Sequence, residues 1–374
     1  MTVIGYLTTV EFEAGVLARL PAVLAELGIA RPLLVSDPGL AASGLAGRVL
    51  GLCPAQAQRF TDTPQNPTEA AVLAALDIYR AGGCDGLVAV GGGSAIDLAK
   101  GVAILAGHPG PLAQYAMIEG GVARITAAVA PLVAIPTTAG TGSEVGRGAL
   151  ITLSDGRKLG FISPHLIPRR ALCDPDLTLS LPRHLTAATG MDALAHCIET
   201  FLSPKVNPPA EAIALDGAGR VARNLERAVA DGGDRTARWE MMMAALEGGL
   251  TFQKGLGAVH ALSHALGALK DPVLHHGTLN AVLLPPVLRF NAGHVGDKYA
   301  RLAAAMGLPP DTDLAAWIAG LNARLGIPPS LAAMGVTAAM LPGVIAGALA
   351  DHSNATNPRA ASAEDYAAIL ASVM

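Results

Sequence analysis

The second half of the chain contains aspartate and histidine side chains at spacings that suit a metal site. Asp192 and His196 are four residues apart in GMDALAHCIETF, and His260 and His264 are four apart in GAVHALSHALG. Residues four apart lie on one face of a helix. The two pairs therefore predict two helices that each present polar ligands from an otherwise apolar segment.

Two more histidines, His275 and His276, follow a proline-containing break, so four of the ten histidines fall within residues 260–276. A carboxylate together with several neutral imidazoles suits iron, zinc, manganese or cobalt. The spacing predicts a divalent metal site but does not select which of these side chains bind. The alternative interpretation is a set of hydrogen-bonded core histidines.

A glycine turn in the first half has features of a phosphate-binding site. In LVAVGGGSAIDLAK, an apolar run leads into Gly91–Gly93 and then into a helical pattern. Backbone N–H groups at a helix N-terminus bind phosphate. We predict Ser94 as the N-cap and Asp97 as the partner that closes a capping box. Because Ile96 occupies the third glycine position of GxGxxG, an ordinary capped turn is the alternative.

A second loop of small residues, IPTTAGTGSEV over residues 135–145, follows another apolar run. Loops that follow parallel strands meet at one edge of the sheet, where ligands bind. Asp37, at the end of RPLLVSD, could accept hydrogen bonds from both ribose hydroxyls and would repel a 2′-phosphate, which favours NAD over NADP. The alternative is that Asp37 and Pro38 simply begin a turn.

The pattern of elements predicts two domains. RPLLVSD, CDGLVAV and PLVAIPTT lack polar alternation, as do strands covered on both faces of a parallel sheet, and residues 68–82 predict a helix between them. No clear strand pattern follows residue 181. We predict an α/β dinucleotide-binding domain over 1–181 and an all-helical domain over 182–374, with helices at 185–202, 209–230, 236–252, 256–269, 297–306, 311–325 and 361–374.

Composition excludes several classes of protein. The chain has 374 residues, 51% apolar and 15% charged, with a net charge of −4, so it can bury a large core and is not a disordered chain. It has no run of basic residues, which argues against nucleic acid or an anionic membrane as partner. Its four scattered cysteines predict a reducing, cytoplasmic setting. No signal peptide or membrane span is expected from the apolar windows.

Several segments together resemble the iron-containing (group III) alcohol dehydrogenase family. They are GGGSAIDLAK, PTTAGTGSEV, GMDALAHCIET, HALSHALG with HHGTLNAVLLP, and Asn357-Pro358-Arg359. They span nearly the whole chain in the family's order. The resemblance implies a Rossmann-like α/β domain followed by an all-α domain, the dehydroquinate synthase-like architecture. It also implies NAD, one Fe²⁺ or Zn²⁺, and a homodimer or higher homo-oligomer, with residues 2–10 as an intersubunit edge strand.

The resemblance also implies roles for individual residues. The metal ligands would be Asp192, His196, His260 and His276. His276 is preferred to His275 because the family's last ligand directly precedes a glycine, as His276 precedes Gly277. His264 matches a histidine near the substrate and is a candidate catalytic proton relay. The implied cofactor-binding residues are Asp37, Asn66, Gly92, Gly93, Ser94, Asp97, Thr137, Thr138, Ser143 and Lys158.

Within the family, the chain is most similar to bacterial members that convert 4-hydroxybutyrate to succinate semialdehyde. Segments such as FQKGLGAVHALSH and LHHGTLNAV carry this similarity. A buried substrate carboxylate needs a cation, and Lys254 and Arg147 are the candidates, with surface charges as the alternative interpretation.

Three other functions are weighed against this one. A short-chain primary alcohol or aldehyde is the first alternative substrate class. A dehydroquinate synthase-like lyase is disfavoured because basic residues are sparse over 192–280. A binding module without catalysis is disfavoured because it would need only one of the two sets of residues, the nucleotide-type loops or the metal ligands.

Overall fold

The computed structural model describes residues 8–374. The described chain forms two compact units. One unit comprises residues 8–138 together with Ser143–Thr178, and the other comprises Ala139–Gly142 and Leu179–Met374. Most of the intersubunit strand predicted over residues 2–10 lies outside the described residues.

The first unit is built on a six-stranded sheet in which all neighbouring strands are parallel. Its strands are β1 Thr9–Phe12, β2 Pro32–Val35, β3 Gln58–Phe60, β4 Gly86–Gly91, β5 Leu132–Pro136 and β8 Arg170–Cys173, in the order β1-β8-β5-β4-β2-β3. The predicted parallel sheet is confirmed. Because β2 pairs with β3 on one side and β4 on the other, the strand order reverses between β2 and β4, where α/β sheets bind ligands.

Five helices and one hairpin complete this unit. The helices are α1 Leu20–Glu26, α2 Pro38–Ala42, α3 Leu45–Leu50, α4 Glu69–Ala81 and α5 Gly93–Gly107. The helix predicted over 68–82 is confirmed as α4, which Thr68 caps by accepting the N–H of Ala71. The antiparallel hairpin of β6 Gly148–Thr152 and β7 Lys158–Ile162 was not predicted from the sequence.

The predicted capping of α5 is wrong. The helix begins at Gly93, and the residue before it, Gly92, provides no side-chain cap. Ser94 is therefore already inside the helix, and its hydroxyl donates to the backbone oxygen of Gln65 instead. Asp97 does not close a capping box, because its two oxygens accept from the Ser143 hydroxyl and the backbone N–H of Leu150.

The second unit is helical, and no strand occurs in the described chain after Cys173. Its helices are α6 Arg183–Leu202, α7 Pro208–Ala230, α8 Arg235–Leu250, α9 Ala258–Gly267, α10 His276–Asn291, α11 Lys298–Ala305, α12 Leu314–Leu325, α13 Leu341–Ala350 and α14 Ala363–Ala371. All seven predicted helices are confirmed, with ends within three residues. No helix in the described part of the chain is long and apolar enough to cross a membrane.

The prediction missed α10 and α13. Pro285 and Pro286 lie inside α10, where proline normally breaks a helix. This helix is buried along most of its length from Gly277 onward. Burial on nearly all sides stabilises a helix more than local propensity does, so tertiary packing outweighs the two prolines.

Candidate active site

Four side chains from three helices of the second unit converge on one point. They are Asp192 and His196 of α6, His260 of α9 and His276, the first residue of α10. Oδ1 of Asp192 lies 3.5 Å from Nε2 of His196, 3.7 Å from Nε2 of His260 and 3.6 Å from Nε2 of His276. Asp192, His196 and His260 are buried, and His276 is half-buried.

This donor set fits a tetrahedral divalent metal. Ligand atoms about 2.1 Å from a tetrahedral metal are about 3.4 Å apart, close to the separations from Asp192. The amide nitrogen of Asn280 lies among these donors, 2.7 Å from Oδ1 of Asp192 and 3.1 Å from Nε2 of both His260 and His276. An amide nitrogen has two hydrogens to offer three acceptors. A cation would satisfy these acceptors more fully.

The other ring nitrogen of each histidine is held by an outer partner. Nδ1 of His196 lies 3.2 Å from the backbone oxygen of Gly140, and Nδ1 of His276 lies 3.5 Å from the Ser263 hydroxyl. Nδ1 of His260 lies 2.5 Å from a carboxylate oxygen of Glu199. Such outer hydrogen bonds orient an imidazole so that Nε2 is available to a metal.

The electrostatics of the cluster reflect burial and close opposite charges. Burial opposes ionisation of Asp192, but the imidazoles of His196, His276 and His260 outweigh it and hold the pKa of this carboxyl well below its ordinary value. Burial lowers the pKa of His196 to about 4. Burial also opposes protonation of His260, yet Glu199 and Asp192 raise its pKa to about 9. At neutral pH these shifts leave Asp192 ionised and His260 protonated, so a metal that binds here must displace the proton from Nε2 of His260.

His275 and His276 have different environments. His275 precedes α10 as its N-cap, and its Nδ1 lies 3.4 Å from the backbone nitrogen of Thr278, which donates to it. It is not one of the four converging donors. The structure therefore brings His276, rather than its neighbour, together with Asp192.

His264 lies beside this cluster. Its ring stacks on His276 with the centroids 5.5 Å apart. Nδ1 of His264 lies 2.9 Å from Oδ2 of Asp351, and the His352 ring also stacks on the His264 ring, with the centroids 5.8 Å apart. Burial lowers the pKa of His264.

In the first unit, the predicted cofactor residues gather where β2, β4 and β5 end. Asp37 caps α2 by accepting the N–H of Leu40 at 3.0 Å, as the turn interpretation expected. Its other oxygen lies beside Gly91, whose φ of +155° disfavours a side chain. A Cβ on Gly92 would lie 3.3 Å from the side chain of Thr138. The backbone N–H of Thr137 donates to the oxygen of Gly91 at 3.0 Å.

Other predicted cofactor residues form two pairs in the same unit. Nζ of Lys158 on β7 donates to Oδ1 of Asn66 at 3.0 Å. The Ser143 hydroxyl donates to Asp97 at 2.6 Å. Lys100, which is fully buried, contacts the second pair, and its ammonium donates to backbone or hydroxyl oxygens of Ser143, Gly146 and Gly148 at 2.7–2.9 Å.

The two candidate substrate cations have contrasting surroundings. Lys254 is fully buried, and its Nζ lies 2.7 Å from Oε1 of Glu211. Arg147 is exposed, and its guanidinium has no hydrogen bond or ion pair with any residue of the described chain. Lys254 thus already has a counterion within the protein, whereas Arg147 has none in the part of the chain that the structure describes.

The sequence analysis missed four residues that shape these sites: Glu199, Asn280, Asp351 and Lys100. Two of them had a usable signal. Glu199 lies seven residues after Asp192, on the same helical face, and Asn280 lies four residues after His276. Asp351 and Lys100 reach their partners through tertiary contacts that no spacing indicates.

The first unit is a parallel α/β unit with a glycine turn, and the second is a helical unit with a buried site that fits a divalent metal. Together they define a class of nucleotide-dependent metalloenzymes. The family model for "Iron-containing alcohol dehydrogenase" matches residues 8–175. The model for "Fe-containing alcohol dehydrogenase family, C-terminal" matches residues 186–374. The chain therefore belongs to the iron-containing alcohol dehydrogenase family and is an oxidoreductase acting on CH–OH groups, as the sequence resemblance predicted.

Individual relatives agree with this assignment. A 4-hydroxybutyrate dehydrogenase from Cupriavidus necator is 57% identical, and the alignment covers 99% of each chain. The crystal structure of a 1,3-propanediol oxidoreductase superposes with a TM-score of 0.92 at 35% identity, covering 100% of both chains. A sulfoacetaldehyde reductase from Bifidobacterium kashiwanohense, solved in complex with NAD⁺, gives a TM-score of 0.89 at 27% identity, covering 100% of this chain and 98% of the other.

Proposed function

We propose that this protein oxidises 4-hydroxybutyrate to succinate semialdehyde with NAD, and catalyses the reverse reduction. The observation that carries the proposal is the convergence of Asp192, His196, His260 and His276 on one metal-sized point. The name of the Cupriavidus necator relative, at 57% identity over nearly the whole chain, supports the substrate.

In the proposed reaction, the four converging side chains hold one Fe²⁺ or Zn²⁺. When bound there, the divalent metal supplies Lewis acidity toward the substrate oxygen. The alcohol would lose its O–H proton to the protein, and the carbon that bears this hydroxyl would lose a hydride to the nicotinamide of bound NAD. The products are the aldehyde, NADH and one proton. His264 is the residue that we propose as the proton acceptor.

The proposed cofactor site is the end of the sheet in the first unit. Asp37 would accept hydrogen bonds from the ribose hydroxyls of NAD and would repel the 2′-phosphate of NADP. The N–H groups at the start of α5 would receive the pyrophosphate, and Gly92 and Gly93 allow its close approach. The remaining proposed contacts are Asn66, Ser94, Asp97, Thr137, Thr138, Ser143 and Lys158.

For the substrate carboxylate, we propose Arg147 as the main partner, with Lys254 as the other candidate. The exposed guanidinium of Arg147 supports this ranking. Lys254 already has Glu211 as its counterion, 2.7 Å away. A contact between Lys254 and the substrate would need that carboxylate to move.

The same ion pair favours a second candidate function. If the Glu211 carboxylate neutralises Lys254 permanently, a neutral substrate needs no further cation. A short-chain primary alcohol or diol is then the substrate, as the name of the 1,3-propanediol oxidoreductase suggests.

We also propose that residues 1–181 and 182–374 act as nucleotide-binding and metal-binding domains of a cytoplasmic homo-oligomer.

The test is a substrate panel with metal-free protein reloaded with Fe(II) or Zn(II). NADH formation is followed with 4-hydroxybutyrate, 1,4-butanediol and 1-butanol, and with NADP in place of NAD. The proposal expects metal-dependent turnover with kcat/KM highest for 4-hydroxybutyrate and lower for NADP. Faster turnover of the neutral alcohols would favour the second function. No oxidation of any alcohol would contradict both.

In the same assay, the variants Arg147→Ala and Lys254→Ala locate the carboxylate partner. The true partner's variant should raise KM for 4-hydroxybutyrate and leave KM for 1-butanol unchanged. If neither variant changes KM for the acid, the carboxylate does not bind to these cations.

A further inference from the structure

We propose that Asp351 is a positioning residue that holds His264 with its Nε2 turned toward the substrate as the proton acceptor. This inference rests on the proposed alcohol oxidation and adds to it the residue that orients the proton relay. Nδ1 of His264 lies 2.9 Å from Oδ2 of Asp351. The side chain of His264 is 4% exposed and that of Asp351 is 9% exposed, so water competes little with this hydrogen bond.

The hydrogen bond determines which ring nitrogen is free. A carboxylate accepts, so Nδ1 of His264 carries the hydrogen, and Nε2 has a bare lone pair. This Nε2 is buried and has no hydrogen-bond partner within residues 8–374. A buried polar atom that is left without a partner destabilises the folded chain. An orphaned acceptor next to a metal-type cluster points to a donor that arrives with the substrate, namely the alcohol O–H.

The location of His264 agrees with this role. It lies four residues after His260 on α9, and the two rings are 5.7 Å apart. Its ring stacks nearly parallel on His276, with an interplanar angle of 14°. Two of the four proposed metal ligands therefore contact the imidazole, so His264 lies directly beside the proposed metal site.

Asp351 is itself fixed by the fold. It directly follows α13, a helix that packs against α9. Its Oδ1 accepts the backbone N–H of Ser353 at 2.8 Å and lies 3.6 Å from Nδ1 of His352, while Oδ2 faces His264. The end of one helix thus supplies a rigid acceptor for a histidine on its neighbour.

The proposed proton step is balanced. The O–H bond of the alcohol breaks, its proton bonds to Nε2 of His264, and the hydride leaves for the nicotinamide. Asp351 stays ionised and stabilises the imidazolium that forms, as the buried carboxylate of a catalytic triad does. The proton then passes to solvent. Asp351 touches neither substrate nor cofactor, so its contribution is to orient His264 and to balance its charge.

Another use of the same residues is a second metal site, because His264, Asp351 and His352 also present three ligand atoms close together. The geometry favours the hydrogen bond. The 2.9 Å contact is normal for a charge-assisted N–H···O bond, whereas two ligands of one tetrahedral metal lie about 3.4 Å apart. The experiment separates the two uses.

The test uses zinc-loaded full-length protein and the variants Asp351→Asn, Asp351→Ala and His352→Ala. Asparagine keeps the shape of aspartate but not its charge. We expect Asp351→Asn to lower kcat for alcohol oxidation by about 10- to 100-fold, with KM within about threefold of the parent. Each variant should retain one zinc per chain.

A second readout does not depend on turnover. In ¹⁵N NMR of the zinc-loaded protein, His264 should show the tautomer with hydrogen on Nδ1, and Asp351→Asn or Asp351→Ala should shift it. An unchanged tautomer, or a kcat for Asp351→Asn within twofold of the parent, would overturn the proposal. So would a second zinc that is lost in Asp351→Ala. A parent protein that oxidises no alcohol would contradict the proposed function, while the NMR result still tests the Asp351–His264 contact.

Discussion

Glu199 holds His260 from the side opposite the proposed metal. One carboxylate oxygen accepts from Nδ1 of His260, and the other accepts the backbone N–H of Val259 at 2.7 Å. Both side chains are buried. A single glutamate on α6 therefore fixes both the His260 ring and the α9 backbone at the preceding residue, Val259.

The first prediction is that Glu199→Gln weakens metal binding. A neutral amide binds Nδ1 less strongly and no longer raises the basicity of the imidazole. Changes to such outer partners typically cost about 10- to 100-fold in metal affinity. Competition between protein and a chelator for Zn(II) measures this. Glu226→Gln, at an exposed ion pair with Arg324, is the control and should have the parent affinity. Equal affinities for all three proteins would contradict the role of Glu199.

The second prediction concerns Lys100, the buried lysine under the proposed cofactor loop. Four oxygens of residues 143–148 lie 2.7–2.9 Å from its ammonium, which has three hydrogens to donate to them, and burial lowers its pKa to about 8. Lys100→Met would leave these acceptors without a donor, each at a cost of about 1–3 kcal/mol. We expect a lower melting temperature and a Kd for NAD raised by about tenfold or more, measured by calorimetry.

The control for this prediction is Lys270→Met, which changes an exposed lysine. It should retain the parent melting temperature and the parent Kd. If Lys100→Met binds NAD as tightly as the control does, Lys100 does not organise the cofactor loop.

The third prediction is a pH dependence of stability from Glu247 on α8. Burial, and then the neighbouring Asp216, raise the pKa of Glu247 from 4.5 to about 8. Between these values the folded chain binds more protons at this site than the unfolded chain. The free energy of unfolding therefore falls as pH rises through this window, by at most about 1.4 kcal/mol per pH unit. Glu247→Gln removes this contribution.

Denaturant unfolding at about pH 5 and about pH 8 measures the effect. Relative to the parent, Glu247→Gln should be more stable at the higher pH than at the lower. Glu240→Gln is the matched control, because Glu240 lies on the same helix and both Glu240 and Glu247 pair with Arg220. It should keep the parent's slope. The same slope in all three proteins would contradict the assigned pKa.

Much of the fold follows from local sequence patterns. Unbroken apolar runs identify β2, β4 and β5, and amphipathic spacing identifies α4 together with seven of the nine helices described in the second unit. The hairpin of β6 and β7 was missed because its strands are short and only half-buried. Helix α10 was missed because Pro285 and Pro286 normally break a helix, so the local sequence does not predict one. In the folded chain, burial in the helical unit stabilises the helix more than the two prolines destabilise it.

The candidate site shows a similar division. Spacing alone indicates Asp192, His196, His260 and His264, since each has a partner four residues away on its own helix, but it does not select which of them bind a metal. Choosing His276 over its neighbour required a resemblance to a family, because adjacent residues differ only in the direction that the folded backbone gives them. The contact of Asp351 with His264 joins residues 87 positions apart, and no local pattern encodes it.

The most direct test of the central claim is the number of metal ions that the chain binds at equilibrium. Metal-free parent, His276→Ala and His275→Ala are each dialysed against Zn(II), and the zinc bound per chain is measured. The two variants change adjacent histidines, of which only His276 lies among the four converging side chains. The arrangement around Asp192 predicts one zinc per chain for the parent and for His275→Ala, and weak or no binding for His276→Ala. One tightly bound zinc in His276→Ala, with loss of zinc in His275→Ala, would contradict it.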